Sequence, residues 1–425
     1  MASSLVPPGR TPPARHAGSR PRARRVGASL LVVAAMVGAT LVMADRARRR
    51  WFADPDEVLK RGQAALAAER IDEAEAAVTA LRSLRRPLPE DAMLRGRVHL
   101  ARGRIDQAVA DLALVPDEHE SAARARLMAG QAELRRHRAR EAEALLRRAI
   151  RLDPALIPAR RELIYILGYQ LRRAEVSSEF EALSRCTELS PENVFHWSLL
   201  RKVTWRPETA IAELTRFLEA DPGDRWSRLA LADNFRRSGL VEDAESLLAP
   251  LPGSDPDALA IRVEIALDRH RADEAERLLD SSDSRAPRLA RLRGRMALAR
   301  RDAAAALRWF RLAEADPVEN RDVLFGLVNA LDLLGDAPAA AAARVRARDL
   351  DRLNTLIERA AVRGARTDPA LLRALGSACA TLGYDSEARA WFRLAIARNP
   401  LDTEAQQALF RLGTLPARMP RSPLK

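Results

Sequence analysis

The chain has 425 residues, with 71 Lys and Arg against 58 Asp and Glu, so its formal net charge is +13. Apolar residues make up 47% and aromatic residues only 4%, which favours closely packed helices, because strands are enriched in β-branched and aromatic residues. This composition excludes a collagen-like chain and a wholly disordered one. Two cysteines, Cys186 and Cys379, are too few for a disulfide-stapled domain.

The basic excess lies at the two ends of the chain. Residues 1–50 contain ten Arg and one Asp, and residues 418–425 add three basic residues, whereas residues 51–417 hold 58 basic and 57 acidic residues. A nucleic-acid-binding protein usually carries its basic excess on the folded domain. Nucleic acid is therefore not an expected partner.

The N-terminal region contains one strongly apolar segment. Residues 1–25 are rich in Pro, Gly, Ser and Arg and are predicted to be disordered. Residues 26–44 are uncharged, and as a helix they span roughly 28 Å, close to the thickness of a bilayer core. They are predicted to be a transmembrane helix or signal anchor, followed by a linker at 45–54. A signal cleaved after Ala44 and a simple hydrophobic helix are the alternatives.

The predicted localisation follows from that segment. The chain is expected to be a single-pass protein of the bacterial inner membrane. It would contact the membrane through residues 26–44. Six basic residues flank the segment on each side, so the positive-inside rule nearly balances. The repeat domain described next is placed, by a narrow margin, outside the cytoplasm.

A periodic pattern of small and large residues fills the rest of the chain. In one example Gly96 is followed twelve residues later by Ala108 and then by Leu112. A small residue on each of two helices lets their backbones approach, and a large residue one turn later fills the adjacent space. The corresponding alanines are mostly 34 or 31 residues apart and lie at positions 74, 108, 142, 210, 244, 275, 306, 340 and 388.

The final copy of the pattern is the most complete. It comprises Leu375, Gly376, Cys379, Gly383, Ala388, Phe392, Ala395 and Pro400. The pattern resembles the tetratricopeptide repeat, a 34-residue helical hairpin. The resemblance implies an all-α, tetratricopeptide-like solenoid (superhelix) of helical hairpins with about ten repeats, here preceded by one transmembrane helix. Repeats 1–9 are predicted at 55–349, repeat 10 at 367–401, a capping helix at 402–415 and a disordered tail at 416–425.

Two places depart from this regular pattern. The fourth repeat has Ile164 and Val176 in place of the small residues, and the fifth has Ser198 in place of Gly and Pro207 in its turn. The spacing from Ala340 to Ala388 is 48 residues, which leaves 14 extra. Within them apolar residues recur three and four apart, as on one helix face. The pattern predicts an inserted or lengthened helix over residues 350–366.

Motifs for catalysis or metal binding are not found in the sequence. It has no phosphate-binding Gly-rich loop, no His-Glu-x-x-His, no Cys-x-x-Cys, no acidic calcium loop and no nucleophile elbow. His137 and His270 fall at turns between helices, where other repeats have Gly, and both cysteines fit small core positions. The chain is therefore predicted not to be an enzyme and to need no cofactor or metal.

Aromatic residues are concentrated in the degenerate repeats. Nine of the 18 lie between Tyr165 and Phe235. The resemblance implies that the first helix of each hairpin lines a concave groove, and aromatic anchors beside cations suit peptide binding. The alternative is that the aromatic rings only fill core gaps left by the degenerate repeats. The candidate groove residues are Arg161, Tyr165, Tyr169, Phe195, Lys202, Trp226, Asp233 and Arg236.

Three functions are compatible with this pattern. The favoured one is a membrane-tethered, non-catalytic scaffold or adaptor that binds a protein or peptide in the concave groove. The second is a regulatory or assembly factor for envelope polysaccharide or protein export. The third, an accessory part of a transferase, is least favoured, because only ten residues, 416–425, follow the predicted capping helix.

Overall fold

The fold is described from a computed structural model, which covers residues 54–200, 207–316, 318, 320–362 and 364–414. The regular secondary structure of these residues consists of 21 α-helices and one short 3-10 helix, Ala365–Thr367. The predicted all-α architecture is confirmed, and about ten repeats is roughly consistent with this number of helices. The chain divides into two compact units, Met1–Val98 and His99–Lys425, which are described separately.

The helices follow one another with short connections. The first unit contains α1 (Pro55–Ala67), α2 (Ile71–Leu84) and most of α3 (Pro89–Ala101). The second contains α4 (Ile105–Ala113), α5 (Ala122–Arg135), α6 (Ala139–Leu152), α7 (Ile157–Tyr169), α8 (Arg173–Cys186), α9 (Pro191–Leu199), α10 (Pro207–Ala220), α11 (Arg225–Arg237), α12 (Val241–Leu248), α13 (Pro256–Asp268), α14 (Ala272–Asp280), α15 (Pro287–Ala299), α16 (Ala303–Ala313), α17 (Arg321–Leu333), α18 (Ala337–Ala361), α19 (Pro369–Leu382), α20 (Asp385–Arg398) and α21 (Thr403–Thr414).

Helix starts are set by local sequence. Before α13, the Asp255 carboxylate accepts hydrogen bonds from the backbone N–H groups of Asp257 and Ala258, each at 3.0 Å, and Pro256 takes the first helical position. Such a cap satisfies N–H groups that have no partner within the helix, and proline there has no N–H to satisfy. Asp54 and Asp368 cap α1 and α19 in the same way.

The two helices of each hairpin meet through small residues. All nine alanines of the repeat pattern are buried. In the second unit, the ring of Phe310 on α16 fills the space beside Gly294 of α15 and Gly326 of α17, and a Cβ atom at Gly294 would lie 2.9 Å from that ring. In the first unit Gly62 of α1 faces Leu94 of α3. Close packing of this kind makes glycine necessary at these positions.

The turn between the helices of a hairpin uses a left-handed backbone conformation. His137 and His270 have φ of 59° and 58°, and Gly103 and Gly383 have 71° and 77° at the equivalent position. A left-handed residue reverses the chain and ends the first helix. The two histidines therefore occupy a position required by the turn.

The fifth predicted hairpin departs from the pattern. Among the described residues, α9 and α10 do not pack on each other as the helices of the other hairpins do. Instead α10 packs on α7 and α11, whereas α9 packs on α18 and α20 near the C-terminus. The sequence predicted two paired helices here, and the structure pairs each of them with a different neighbour.

The region of the 14-residue excess lies in a long helix. Helix α18 has 25 residues and is followed by the 3-10 turn Ala365–Thr367. Leu350, Leu353 and Ile357 are buried on one face of its second half. At the C-terminal end, where a cap was predicted, α21 packs on α20.

The predicted localisation is corrected by the structure. Across the described ranges, no helix combines the length and the apolar character needed to cross a bilayer. The longest, α18, carries Arg and Asp along its length, which makes membrane insertion costly. The assignment as a single-pass membrane protein is therefore wrong for the part of the chain that is described. The predicted tail 1–25, anchor 26–44, linker residues 45–53 and C-terminal tail 416–425 lie outside the described residues.

Candidate functional site

The second unit contains a cavity of about 540 Å³. One wall is the turn from α7 into α8, and the others are α11, α13 and α15 together with the connection from α16 to α17. Apolar side chains from Trp226, Leu229, Ile261 and Val323 share the lining with many Arg, Asp and Glu residues. The volume is within the range of known ligand sites, about 300–1,000 Å³.

A network of ion pairs forms the floor of this cavity. Asp233 of α11 and Glu264 of α13 are each only 7% exposed, and Arg288 of α15 lies 2.7 Å from Asp233 and 2.5 Å from Glu264. Arg291 lies 2.6 Å from Glu264, and Arg236 lies 3.3 Å from Asp233. Buried carboxylates are tolerated because each has more than one guanidinium partner.

The network controls the ionisation of its carboxylates. Burial opposes the charged form of Asp233, but Arg288 and Arg236 outweigh that effect and lower the pKa of Asp233 to about 2. Burial and the nearby Asp233 also oppose the charged form of Glu264, but Arg288 and Arg291 outweigh them and lower the pKa of Glu264. Both carboxyl groups are therefore ionised at neutral pH, and their charge is already neutralised within the protein.

Acid should weaken this network. Because the pKa of Asp233 is about 2 in the folded protein and ~3.9 in an unfolded chain, its contribution to stability is present above the unfolded value. It is lost as the pH falls towards 2, and it amounts to about 2 kcal/mol. Urea unfolding followed by circular dichroism measures the free energy of unfolding at each pH. As the pH falls over this acid range, that free energy should decrease less for Asp233→Asn than for the wild type. Parallel pH profiles for the two proteins would contradict the expectation, and the exposed Asp273→Asn on α14 serves as the control.

Two guanidinium groups in the cavity lining remain without an ion-pair partner among the described residues. Arg173, at the start of α8, and Arg295, on α15, line the cavity but are not paired with any carboxylate there. Burial and the nearby charges of Arg288 and Arg237 lower the pKa of Arg173. They outweigh the Asp233 carboxylate, which raises that pKa. The positive charge of Arg173 is thus only partly compensated.

The wall that carries Arg173 is held in place by polar contacts. Gln170, which is buried, donates hydrogen bonds to Asp224 and to Ser227 at the start of α11, at 3.1 Å and 3.2 Å. Guanidinium carbons of Arg172 and Arg225 lie 4.8 Å and 4.3 Å from the centre of the Trp226 ring. These contacts fix the turn before α8 against α11.

The predicted groove residues lie in several different places. Trp226, Asp233 and Arg236 line the cavity together. Tyr165 and Tyr169 on α7 face α10 instead, and the hydroxyl of Tyr165 donates a hydrogen bond to Glu213 at 3.1 Å. Burial raises the pKa of the Tyr165 hydroxyl, and the nearby Glu213 carboxylate raises it further.

Two of the remaining three predicted residues, Phe195 and Arg161, do not line the cavity. Phe195 is buried, and the Arg366 guanidinium lies 4.6 Å from the centre of its ring. Arg161 is exposed on α7, and Lys202 lies outside the described residues. The eight residues therefore do not form one continuous surface among the parts of the chain that are described.

Sequence reasoning missed several residues of the cavity lining. A periodic signal in the sequence nevertheless links three of the lining positions. Asp233, Glu264 and Arg295 follow one another at intervals of 31 residues, the same interval that separates Ala244, Ala275 and Ala306. They occupy one position of the repeat on three successive first helices. In contrast, Arg173 has no such periodic signal, because the cavity wall that includes it comes from a distant repeat.

Comparisons with known proteins agree with the repeat pattern. Family models of the tetratricopeptide repeat match residues 59–118, 93–157 and 206–262. A search of curated proteins finds no match to the chain.

Three solved structures are among those found to be similar to the chain. A chain of the APC/C hetero-tetramer Cut9-Hcn1 is 14% identical, with 88% of each chain covered and a TM-score of 0.33. A tetratricopeptide repeat protein from Parabacteroides merdae ATCC 43184 is 14% identical, with 57% of this chain and 98% of that chain covered and a TM-score of 0.30. YrrB, a repeat protein with an unusual peptide-binding site, is 16% identical, with 45% and 97% covered and a TM-score of 0.21.

The family-model matches confirm the predicted repeats, and the helical hairpins agree with them. Residues 59–157 and 206–262 therefore contain tetratricopeptide repeats, a helical fold that generally serves as a protein-binding scaffold and is typically non-catalytic.

Proposed function

We propose that the chain is a non-catalytic scaffold that binds a segment of a protein partner in the cavity of its second unit. The observation that supports this most directly is the lining itself. It combines apolar surface from Trp226, Leu229 and Ile261 with two guanidinium groups, of Arg173 and Arg295, that have no ion-pair partner among the described residues. Apolar contacts supply affinity, and a few placed polar groups supply orientation.

The charges indicate what kind of segment is bound. Asp233 and Glu264 are already paired with arginines, so they offer little to a basic ligand. Arg173 and Arg295 instead have unused hydrogen-bond donors, which suit a carboxylate. The proposed partner segment therefore carries an Asp or Glu side chain or a terminal carboxylate beside an apolar residue.

Selection of peptides provides the test. A random peptide library is selected on the full-length chain, and the affinity of the selected peptides is then measured by fluorescence anisotropy. We expect acidic peptides, and we expect Arg173→Ala and Arg295→Ala to weaken their binding by about tenfold each, or ~1.4 kcal/mol.

The matched control is Arg308→Ala. Arg308 is exposed on α16 and does not line the cavity, so its removal should leave peptide affinity unchanged. The proposal fails if no peptide is selected, or if the selected peptides bind both cavity variants as tightly as the wild type.

A further inference from the structure

A pair of contacts joins parts of the second unit that are far apart in the sequence. The indole N–H of Trp391 on α20 donates a hydrogen bond to the Ser198 hydroxyl on α9 at 3.1 Å. The Ser198 hydroxyl in turn donates to the carboxylate of Glu387. All three side chains are at most 1% exposed. This chain of hydrogen bonds, set in an otherwise apolar contact, specifies one arrangement of α9 and α20. Any other arrangement leaves a buried polar group without a hydrogen-bond partner.

Further contacts surround this polar chain. Ser386 of α20 donates to Glu181 of α8 at 3.4 Å, and the Arg366 guanidinium of the 3-10 turn lies over the Phe195 ring of α9. Apolar side chains of α8, α9, α18 and α20 form one continuous core. In a simple solenoid each repeat contacts only its neighbours, so this closure is an addition to the repeat architecture.

Irregular parts of the sequence form one side of the closure and part of the other, whereas α20 belongs to the regular tenth repeat. One side is the aromatic-rich hairpin α8–α9, where the fourth and fifth repeats lose their small residues. The other includes the second half of α18 and the turn after it, which lie where the repeat spacing has 14 extra residues. In the fifth repeat Ser198 stands where other repeats have Gly, and its hydroxyl is used in the closure.

We propose that helices α8–α9 on one side and α18–α20 on the other are the halves of an intramolecular latch, whose opening separates two walls of the cavity. The wall at Arg173 belongs to the helix that the latch holds, α8, whereas the connection from α16 to α17 forms part of the opposite lining. These walls are more than a hundred residues apart in sequence. The latch thus sets the width of the cavity from a distance.

Hydrogen exchange on the full-length chain, without any ligand, tests the latch. Trp391→Phe keeps an aromatic ring but removes the N–H that Ser198 accepts. It should raise amide exchange in α9 by about tenfold or more, since a buried hydrogen bond is lost. Ser198→Ala should reciprocally raise exchange in α20, because coupling acts in both directions.

Control variants separate the latch from a general loss of stability. Trp309→Phe makes the same ring replacement on α16, in a side chain that makes none of the latch contacts named above, and should leave exchange in α9 at the wild-type level. Arg366→Ala removes the contact over Phe195 and a charge close to His196, and it should raise exchange in α9 while the fold is kept. The latch is refuted if Trp391→Phe and Arg366→Ala change exchange only in α18–α21. Since no peptide is used, this outcome is independent of whether the cavity binds one.

Discussion

Replacing Phe310 with alanine is expected to lower the free energy of unfolding by about 3–5 kcal/mol, the usual loss for a buried aromatic ring. Its ring is 2% exposed and lies between Gly294 and Gly326. Neither glycine can fill the space that the ring would leave, so a cavity remains between α15, α16 and α17. Urea unfolding followed by circular dichroism measures the loss.

A double-mutant cycle makes this expectation more specific. A Cβ atom at Gly326 would overlap the Phe310 ring, so Gly326→Ala alone should lower stability by about 1–3 kcal/mol through overpacking. In the background of Phe310→Ala the same methyl group enters vacated space and should be nearly neutral. The coupling between the two sites should therefore be about 1–3 kcal/mol. Additive effects would show that the ring and the glycine do not share this space.

Replacing Glu264 with alanine is the second large change, with an expected loss of about 3–5 kcal/mol. Glu264 is buried and lies 2.5 Å from Arg288, 2.6 Å from Arg291 and 3.4 Å from Arg236. Its removal leaves three guanidinium groups close together with only Asp233 and more exposed carboxylates to balance them. Repulsion among those cations adds to the loss of the ion pairs.

An exposed ion pair in the second helix of the same hairpin provides the control. Glu274 on α14 lies 3.4 Å from Arg271, with both side chains largely exposed, so Glu274→Ala should change stability by less than about 1 kcal/mol. Glu264→Gln, which keeps the shape of the side chain, separates charge from packing. A loss for Glu264→Ala as small as that for Glu274→Ala would mean that solvent already screens the network.

The proposed peptide site and the latch meet at α8. Its first turn carries Arg173 into the cavity lining, and its later turns lie beside the contact with α20. A partner that engages Arg173 therefore binds a wall whose position depends on the C-terminal repeat. This link offers a physical route by which changes near residue 391 alter binding at residue 173.

The candidate groove shows where sequence reasoning succeeded and failed. Trp226, Asp233 and Arg236 lie together because α11 belongs to a regular repeat, in which spacing along the helix sets the face of each residue. Phe195 was placed on the same groove by assuming that the fifth repeat continues the array. It faces Arg366 instead, because α9 leaves its expected partner and packs near the C-terminus.

The sequence by itself determined the all-α class, the repeat interval and the buried small and large positions. Those features depend on contacts between residues within about one repeat, whose spacing is visible along the chain. Only the tertiary structure decided that α9 packs on α20, and that Arg173 and Arg288 line one cavity. Such contacts join residues separated by more than a hundred positions, and they depend on the accumulated rotation of many helices, which no local pattern specifies.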